Sequence, residues 1–425
     1  MKIKNVLCAE GFTGFYNDDQ AAIKKGAEMD RFTYIGDPLT QNFKAIRQAG
    51  ESLSIMLLLE NGMIAYGDAA AVQYSGAGGR DTLFEAKKAK TFFLENIRPL
   101  LLGLDISEFR TNARRFDTLN IDGKPIHTAL RYGITQALLD ATAKAQGLTI
   151  SELVRKEYNI DTPRYVPIPV FAQTGDERYT GVDKMIMKEI EVLPHGLINS
   201  VKTKLGINGE KLMDYVKWLR HRIIEKRMRE DYEPILHIDV YGTIGMIFDD
   251  NIEKCFNYLK ELSKTAEPFT LRIEGPIDKG NREDTLEALK ALKTMIDADD
   301  SVHVEIVADE WCNTLEDVKV FADEGAAHML QVKTPDLGGV NNTIEALRYC
   351  LKKGVGAYSG GSCNETNISA EITTSIAIAC SAKQCLAKPG MGTDEGIMIV
   401  KNHMMREIAF IESRWHDENR LCGHA

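Results

Sequence analysis

The stretches His237-Ile-Asp239, Arg272-Ile-Glu274 and Ile306-Val-Ala-Asp309 each close an apolar run with an acidic residue. The acids are 35 residues apart in both intervals, from 239 to 274 and from 274 to 309. A strand, its following helix and the connecting loops occupy roughly 30 residues or more, so each interval fits one strand–helix unit. The spacing therefore predicts three successive parallel strands whose carboxyl ends carry equivalent acidic side chains.

Short apolar stretches alternate with helical patterns through the chain after residue 161. The eight predicted strands are 166–173, 196–201, 235–240, 270–275, 302–308, 328–333, 355–358 and 384–388. The clearest helical patterns between them are 209–227, 251–265, 282–296 and 340–353. Such repetition indicates a parallel sheet with right-handed crossovers. Eight strands, with no GxGxxG after the first, favour a TIM-type (β/α) barrel over an open doubly wound sheet.

The first 160 residues follow a different pattern. Apolar runs at 53–60 and 63–66 flank Asn61-Gly62, a pair that favours the positive φ angles of a type I′ hairpin turn. The stretch 81–157 is mostly helical, and one apolar face carries Leu130, Ile134, Ala137, Leu138 and Ala141. The proline-rich segment 161–169 then breaks helices and predicts a linker. We expect an N-terminal α+β domain over 1–160 and a barrel domain over 161–425.

Composition excludes several classes of protein. The 425-residue chain is 44% hydrophobic and 27% charged, as in a soluble globular protein. Its formal charge of −10 disfavours nucleic acid as a partner. The eight cysteines form no CxxC pair and fit a reducing compartment. With no apolar signal-peptide region, and with 55–59 as its longest clearly apolar run, the chain is expected to be cytoplasmic and without a membrane partner.

Three carboxylates at one end of a barrel repel one another unless a cation lies between them. Asp239, Glu274 and Asp309 offer hard oxygen ligands, and no thiolate or clustered imidazole accompanies them. This ligand set suits Mg²⁺ or Mn²⁺. Three solvated loop acids are the alternative, but the equal spacing favours the metal site.

Gln331 and Lys333 lie on one face of the next predicted strand, because strand side chains alternate. A nearby cation and desolvation would both lower the pKa of Lys333, which makes it a candidate general base for a proton next to a carboxylate. Neutralisation of a nearby acid is an equal alternative for this lysine. His195, in Leu193-Pro-His-Gly196, is either a second base across the barrel or an ordinary loop residue.

Two glycine-containing segments are further candidates. The stretch Gly360-Gly-Ser-Cys-Asn-Glu-Thr366 follows the seventh strand, and its backbone amides could approach an anion or simply form a tight turn. No base for Cys363 is identifiable, so this thiol is interpreted as a pocket wall. Ala77-Gly-Gly-Arg80 is a flexible loop that could close over the barrel mouth.

With these residues in place, the sequence resembles the enolase superfamily and, more narrowly, the methylaspartate ammonia-lyase (3-methylaspartase) family. The resemblance extends in order over nearly the whole chain. Its longest motifs are Ala71-Val-Gln-Tyr-Ser-Gly-Ala-Gly-Gly-Arg80, His237-Ile-Asp-Val-Tyr-Gly-Thr243, Val307-Ala-Asp-Glu-Trp-Cys-Asn313 and Lys333-Thr-Pro-Asp-Leu-Gly-Gly-Val340. The implied fold is α/β and enolase-like, with a capping domain over a barrel that carries the catalytic site at its C-terminal strand ends.

The resemblance implies a reversible elimination of ammonia from L-threo-3-methylaspartate, giving mesaconate through an enolate. Asp239, Glu274 and Asp309 would hold Mg²⁺, and K⁺ would act as an activator. Lys333 would take the C3 proton of the (2S,3S) substrate, and His195 would serve the epimer from the opposite face. The implied substrate-binding residues are Gln331 for the metal-bound carboxylate, Gln173, Ser362 and Cys363 for the other carboxylate, Gln73 near the amino group, and Tyr358 and Leu386 in the pocket wall.

The resemblance also implies a homodimer and a role in glutamate breakdown. Ser362 departs from the family, which more often has threonine there, and the lost methyl is worth about 1 kcal/mol. The tail 422–425 has no role that the family suggests. Two other functions stay open: a racemase or dehydratase acting on another carboxylate, and a non-catalytic binding protein on the same fold.

Overall fold

The computed structural model describes residues 1–77, 79–162 and 164–421, with the side chains of 415–421 left out. The tail 422–425 lies outside the described residues. Among the described residues, no helix is both long enough and apolar enough to cross a membrane.

A three-stranded antiparallel sheet opens the chain. Its strands are Ile3–Asp18, Arg47–Leu59 and Ile64–Ala70, with Arg47–Leu59 in the centre. The hairpin lies where the sequence predicted it, but the predicted type I′ turn is wrong. Of the pair Asn61-Gly62 only the glycine has a positive φ, at 87°, and its amide donates to the carbonyl of Leu59 at 3.0 Å. A three-residue loop ending in a left-handed glycine therefore joins these strands.

Helices pack on this sheet, as the periodicity of 81–157 predicted. The helices of this part are Gln20–Lys24, Ala86–Phe92, Phe93–Ile97 (a π-helical turn), Arg98–Leu101, Phe109–Asp117, Thr128–Gln146 and Ile150–Tyr158. Two-residue strands pair Met29–Asp30 with Thr33–Tyr34 and Asn120–Ile121 with Lys124–Pro125. All five residues of the predicted apolar face are buried in helix Thr128–Gln146.

Glycines let helix Thr128–Gln146 cross strand Ile64–Ala70 at very short range. A Cβ on Gly133 would lie 2.5 Å from the backbone nitrogen of Ala69. We expect Gly133→Ala to destabilise the protein by about 1–3 kcal/mol through overpacking, although alanine is by itself the better helix former by about 1 kcal/mol. Urea unfolding followed by circular dichroism measures the change. A variant as stable as the wild type would contradict this packing.

Eight parallel strands close a barrel, which confirms the predicted fold class. In chain order, barrel strands 1 to 8 are Val170–Phe171, Val192–His195, Ile235–Asp239, Leu271–Glu274, Val304–Ala308, Met329–Val332, Gly356–Ser359 and Cys385–Leu386. The surrounding helices are Arg178–Met187, Glu210–Lys226, Thr243–Ile247, Ile252–Ala266, Arg282–Asp297, Leu315–Glu324, Val340–Lys353, Asn367–Cys380 and Thr393–Leu421.

The second barrel strand lies earlier than predicted. The stretch 196–201 was expected to be a strand, whereas Val192–His195 forms it and Val201–Leu205 makes a π-helical turn. Pro194 reads as a strand breaker in sequence, since it lacks the amide that a ladder needs. Pairing of Val192 with both Ile235 and Phe171 nevertheless closes the barrel at this strand.

Candidate active site

Three buried acids lie together at the carboxyl ends of adjacent barrel strands. Asp239 and Glu274 end strands 3 and 4, and Asp309 directly follows strand 5. One carboxylate oxygen from each lies within 4.8 Å of the others, and all three residues are buried. The structure therefore brings together the acids whose spacing predicted a metal site.

Burial and mutual repulsion disfavour the charged forms of these acids. Burial raises the pKa of Asp239, and the charges of Glu274 and Asp309 raise it further. Burial also raises the pKa of Glu274. It raises the pKa of Asp309 to about 7 although the ammonium of Lys333 opposes the shift. A divalent cation would offset both effects, so these residues fit a hard metal ion.

Lys333 follows barrel strand 6 and lies at the edge of the acidic cluster. Its Nζ is 2.8 Å from Oδ1 of Asp309 and 3.8 Å from Oε1 of Glu310. Burial by itself would lower the pKa of Lys333, but these two carboxylates outweigh it and raise the pKa. Among the protein's own groups Lys333 is thus the counter-ion of two acids, the alternative that the sequence left open.

His195 ends barrel strand 2 and approaches the acids from the opposite side, four strands away from Lys333. Its Nε2 lies 3.5 Å from Oδ2 of Asp239. Burial lowers the pKa of His195 to about 4. The imidazole is therefore neutral at pH 7 and has a lone pair that can accept a proton.

A cavity of about 70 Å³ lies between these two side chains. Every predicted site residue except Glu274 lines it: Asp239, Asp309, Lys333, His195, Gln73, Gln173, Gln331, Tyr358, Ser362, Cys363 and Leu386. Glu274 is fully buried and accepts hydrogen bonds from the amide of Gln331 and the hydroxyl of Tyr358. The structure thus gathers all the predicted residues at one site.

The first part of the chain supplies one wall of the cavity. The backbone amide of Gln73 donates to Oγ of Ser362 at 3.3 Å, and the thiol of Cys363 donates to Oε1 of Gln73 at 3.0 Å. Arg80, which the sequence placed in a flexible loop, donates to the Asp336 carboxylate at 2.9 and 3.0 Å. Contacts of this kind seat the first 160 residues against the open end of the barrel.

Two family profiles match the chain and together cover nearly all of it. One, described as Methylaspartate ammonia-lyase N-terminus, matches residues 1–159, and the other, Methylaspartate ammonia-lyase C-terminus, matches residues 164–413. The chain belongs to the methylaspartate ammonia-lyase family. The methylaspartate ammonia-lyase of Clostridium tetanomorphum is 57% identical over 414 residues, which are 97% of this chain and 100% of that protein.

Solved structures of the methylaspartate ammonia-lyase family share this architecture. The Mg complex of beta-methylaspartase from Clostridium tetanomorphum has a TM-score of 0.94 and 57% identity, covering 97% of this chain and 100% of that one. The Citrobacter amalonaticus enzyme containing (2S,3S)-3-methylaspartic acid has a TM-score of 0.95 and 52% identity, with the same coverage. Muconate cycloisomerase from Pseudomonas fluorescens, at 18% identity and a TM-score of 0.58 over 89% of this chain and 84% of that one, shares the fold.

The sequence did not predict a chain of hydrogen bonds that supports Glu274 from the barrel interior. His237 Nε2 donates to Glu274 at 2.7 Å, Gln384 donates to His237 Nδ1 at 2.8 Å, and Arg272 donates to Gln384 at 2.8 Å. Burial lowers the pKa of His237 to about 3, so its neutral ring carries one proton, on Nε2. Strand alternation could have identified His237 and Arg272, which lie two residues before inward-facing acids.

A buried ion pair behind the turn 360–363 also escaped prediction. Lys388 Nζ lies 3.1 Å from the carboxylate of Glu365 and donates to the carbonyl of Gly360 at 2.6 Å. The same carboxylate accepts the backbone amide of Ser362 at 3.1 Å. Both side chains are fully buried. The pair therefore holds the shape of the turn that carries Ser362 and Cys363, and no spacing in the sequence indicated it.

Proposed function

We propose that this protein catalyses the reversible elimination of ammonia from (2S,3S)-3-methylaspartate (L-threo-3-methylaspartate), giving mesaconate. The observation that carries the proposal is the placement of Lys333 and His195 on opposite sides of one cavity, beside three buried acids. Relatives that match this chain over their full length are named for this activity, and one of their structures contains the amino acid. The proposed substrate is accordingly a small dicarboxylate amino acid.

Asp239, Glu274 and Asp309 are the proposed ligands of Mg²⁺, with Mn²⁺ as a substitute. Gln331 supports this assignment, because its Oε1 is buried and has no hydrogen-bond partner within the described residues. A free amide oxygen beside three carboxylates suits a hard cation or a group that the cation holds. When bound, Mg²⁺ would stabilise the negative charge that develops on the substrate carboxylate as the C3 proton leaves. K⁺ is proposed as an activator from the family resemblance.

Lys333 is the proposed base for the C3 proton. Neutral lysine is needed for this step, and the carboxylates of Asp309 and Glu310 oppose it by raising the pKa of Lys333. Positive charge held by the acids would act in the opposite direction and favour the neutral amine. His195, whose neutral ring faces the same cavity, is proposed to serve the C3 epimer from the other side.

The remaining cavity residues are proposed to bind and orient the substrate. Gln331 would contact the carboxylate next to C3, while Gln173 and the Ser362-Cys363 turn would hold the other carboxylate. Gln73 would lie beside the amino group that leaves. Tyr358 and Leu386, both buried in the cavity wall, would exclude water from the reacting atoms.

We extend the proposal to the organisation of the protein. Residues 1–160 would act as a capping domain and 161–425 as the catalytic barrel domain, which is supported by the contacts of Gln73 and Arg80 with the barrel. The family resemblance supports a homodimer that works in the cytoplasm in glutamate breakdown.

Ultraviolet absorbance tests the proposed reaction. Purified protein with L-threo-3-methylaspartate, Mg²⁺ and K⁺ is expected to produce the absorbance of an unsaturated dicarboxylate, and EDTA should abolish the rise by removing the metal ion. Circular dichroism before and after EDTA checks that the protein stays folded. No rise with folded, metal-loaded protein would contradict the proposal, and a product isomeric with the substrate would indicate a racemase.

A further inference from the structure

Gln73 is held from behind by a buried acid that the proposed mechanism does not use. Its Nε2 donates to Oδ2 of Asp18 at 2.7 Å. Asp18 ends the first strand of the chain, is 2% exposed and does not line the cavity. Arg47 pairs with the same carboxylate through Nε at 2.7 Å and Nη2 at 2.8 Å. Asp18 thus connects a guanidinium to the side-chain amide of Gln73.

These contacts determine which end of the Gln73 amide faces the cavity. A carboxylate paired with a guanidinium accepts hydrogen bonds and donates none. The NH₂ group of Gln73 must therefore point at Asp18, and its carbonyl oxygen must point away. The thiol of Cys363 donates to that oxygen at 3.0 Å from the opposite side. The carboxylate of Asp18 thus selects the orientation, and the thiol of Cys363 is compatible with it.

Arg47 is itself held in place, so the carboxylate of Asp18 cannot readily turn. The guanidinium carbon lies 4.6 Å from the ring centre of Phe32, 5.1 Å from that of Tyr34 and 5.4 Å from that of Phe15. The aromatic rings already fix the position of the guanidinium. Little further conformational entropy is therefore lost when it forms its two hydrogen bonds with the Asp18 carboxylate.

We infer that Asp18 and Arg47 are positioning residues for the binding of the amino group. They orient the Gln73 side chain so that its Oε1 lies at the cavity wall as a hydrogen-bond acceptor. The inference rests on the proposed function, which places Gln73 beside the leaving amino group. A primary ammonium group has only N–H donors, and ammonia whose lone pair faces the carbon that it attacks likewise has only N–H donors left for such an oxygen. A Gln73 amide turned the other way would direct its own N–H groups at them.

Kinetics of the reverse reaction test this inference. In Asp18→Asn the amide of Gln73 loses its charged partner and can turn, so the KM for ammonium in the addition to mesaconate should rise by about tenfold. The KM for mesaconate should change by less than about twofold, because two of its proposed contacts, Gln173 and Gln331, form their hydrogen bonds with Ala387 and Glu274 and not with Gln73. An unchanged KM for ammonium, or an equal rise in both constants, would overturn the inference.

Asp117→Asn is the matched control. Asp117 is also a buried carboxylate of the first 160 residues beside an arginine, Arg131, at 3.4 Å, but none of its hydrogen-bond partners lines the cavity. Its replacement should leave both KM values as in the wild type. A rise in the KM for ammonium in this variant would show that Asp18→Asn acts through general loosening of the fold.

A second test exchanges the carboxylate of position 18 with the amide of position 73. Gln73→Glu alone places two carboxylates against each other, so that one must turn away or hold a proton, and the acceptor at the cavity wall is lost. The KM of this variant for ammonium should therefore rise. The double variant Asp18→Asn/Gln73→Glu restores a donor facing an acceptor, and its KM for ammonium should return at least several-fold towards the wild-type value. A double variant no better than Gln73→Glu would contradict the positioning role.

The inference can fail separately from the proposed function. If the wild-type protein forms no mesaconate, the proposed function is wrong, and neutron crystal structures, which locate the amide hydrogens, then decide the positioning role. In Asp18→Asn the NH₂ group of Gln73 should turn away from position 18, whereas in Asp117→Asn it should still point at Asp18. An unturned Gln73 amide in Asp18→Asn would overturn the inference without reference to activity.

Discussion

The Lys333→Ala variant is expected to lose activity on (2S,3S)-3-methylaspartate by a factor of about 10²–10⁴, the usual contribution of a positioned general base. The loss should appear in kcat more than in KM, since the proposed role of Lys333 is to take the C3 proton and not to bind a carboxylate. Steady-state kinetics, followed through the absorbance of mesaconate, measures both constants. Activity on the C3 epimer should fall less, because His195 faces the cavity from the other side.

Two controls separate loss of a base from loss of the fold. Removal of Lys333 leaves the buried carboxylate of Asp309 without its ammonium partner at 2.8 Å, so thermal unfolding of the metal-loaded variant must be compared with the wild type. Lys319→Ala removes an exposed ion pair with Glu316 and should keep full activity. A folded Lys333→Ala variant as active as the wild type would refute the proposed base.

The Asp239→Asn variant should show two changes of opposite sign. With EDTA present it should be at least as stable as the wild type, because one of three mutually repelling buried charges is gone and the amide oxygen can still accept from the backbone of Tyr241. With Mg²⁺ it should lack the wild-type gain, which is about 2.7 kcal/mol at a metal concentration one hundred times Kd. Thermal unfolding with and without Mg²⁺ measures both changes.

Asp231→Asn is the matched control for Asp239→Asn. Asp231→Asn changes an exposed acid and should keep the full response to Mg²⁺. Mesaconate formation should be lost in Asp239→Asn but not in Asp231→Asn. A normal Mg²⁺-dependent stabilisation of Asp239→Asn would show that the three acids are not the metal site.

Much of the barrel and its acidic cluster could be predicted because both are periodic. Asp239, Glu274 and Asp309 recur at one interval, and the structure places them at equivalent strand ends within 4.8 Å. Periodicity was a poorer guide where the strands are short. The second barrel strand was placed at 196–201 rather than Val192–His195, because Pro194 interrupts an already brief signal.

The supporting contacts could not be predicted, since they join residues that no local pattern relates. Asp18 and Gln73 are 55 positions apart, and Arg272 and Gln384 are 112 apart. Gly62 shows that even contacts close in sequence can be hard to predict. The Asn-Gly pair correctly indicated a hairpin, but the register of Leu58 with Ile64 decided the loop length and hence the turn.

The sequence by itself determined the barrel, the three acids at its strand ends and the candidate bases. The reason is that a repeated strand–helix unit has a nearly constant length, so residues at equivalent strand ends recur at a regular interval in the sequence. Only the tertiary structure decided which atoms face the cavity. It made Lys333 the counter-ion of Asp309, and it turned the oxygen of Gln73 inward by pairing its amide with Asp18. Both outcomes depend on distances and burial that exist only after separate strands and loops have packed around the cavity. Charge interactions are strong only at such short distances and away from water.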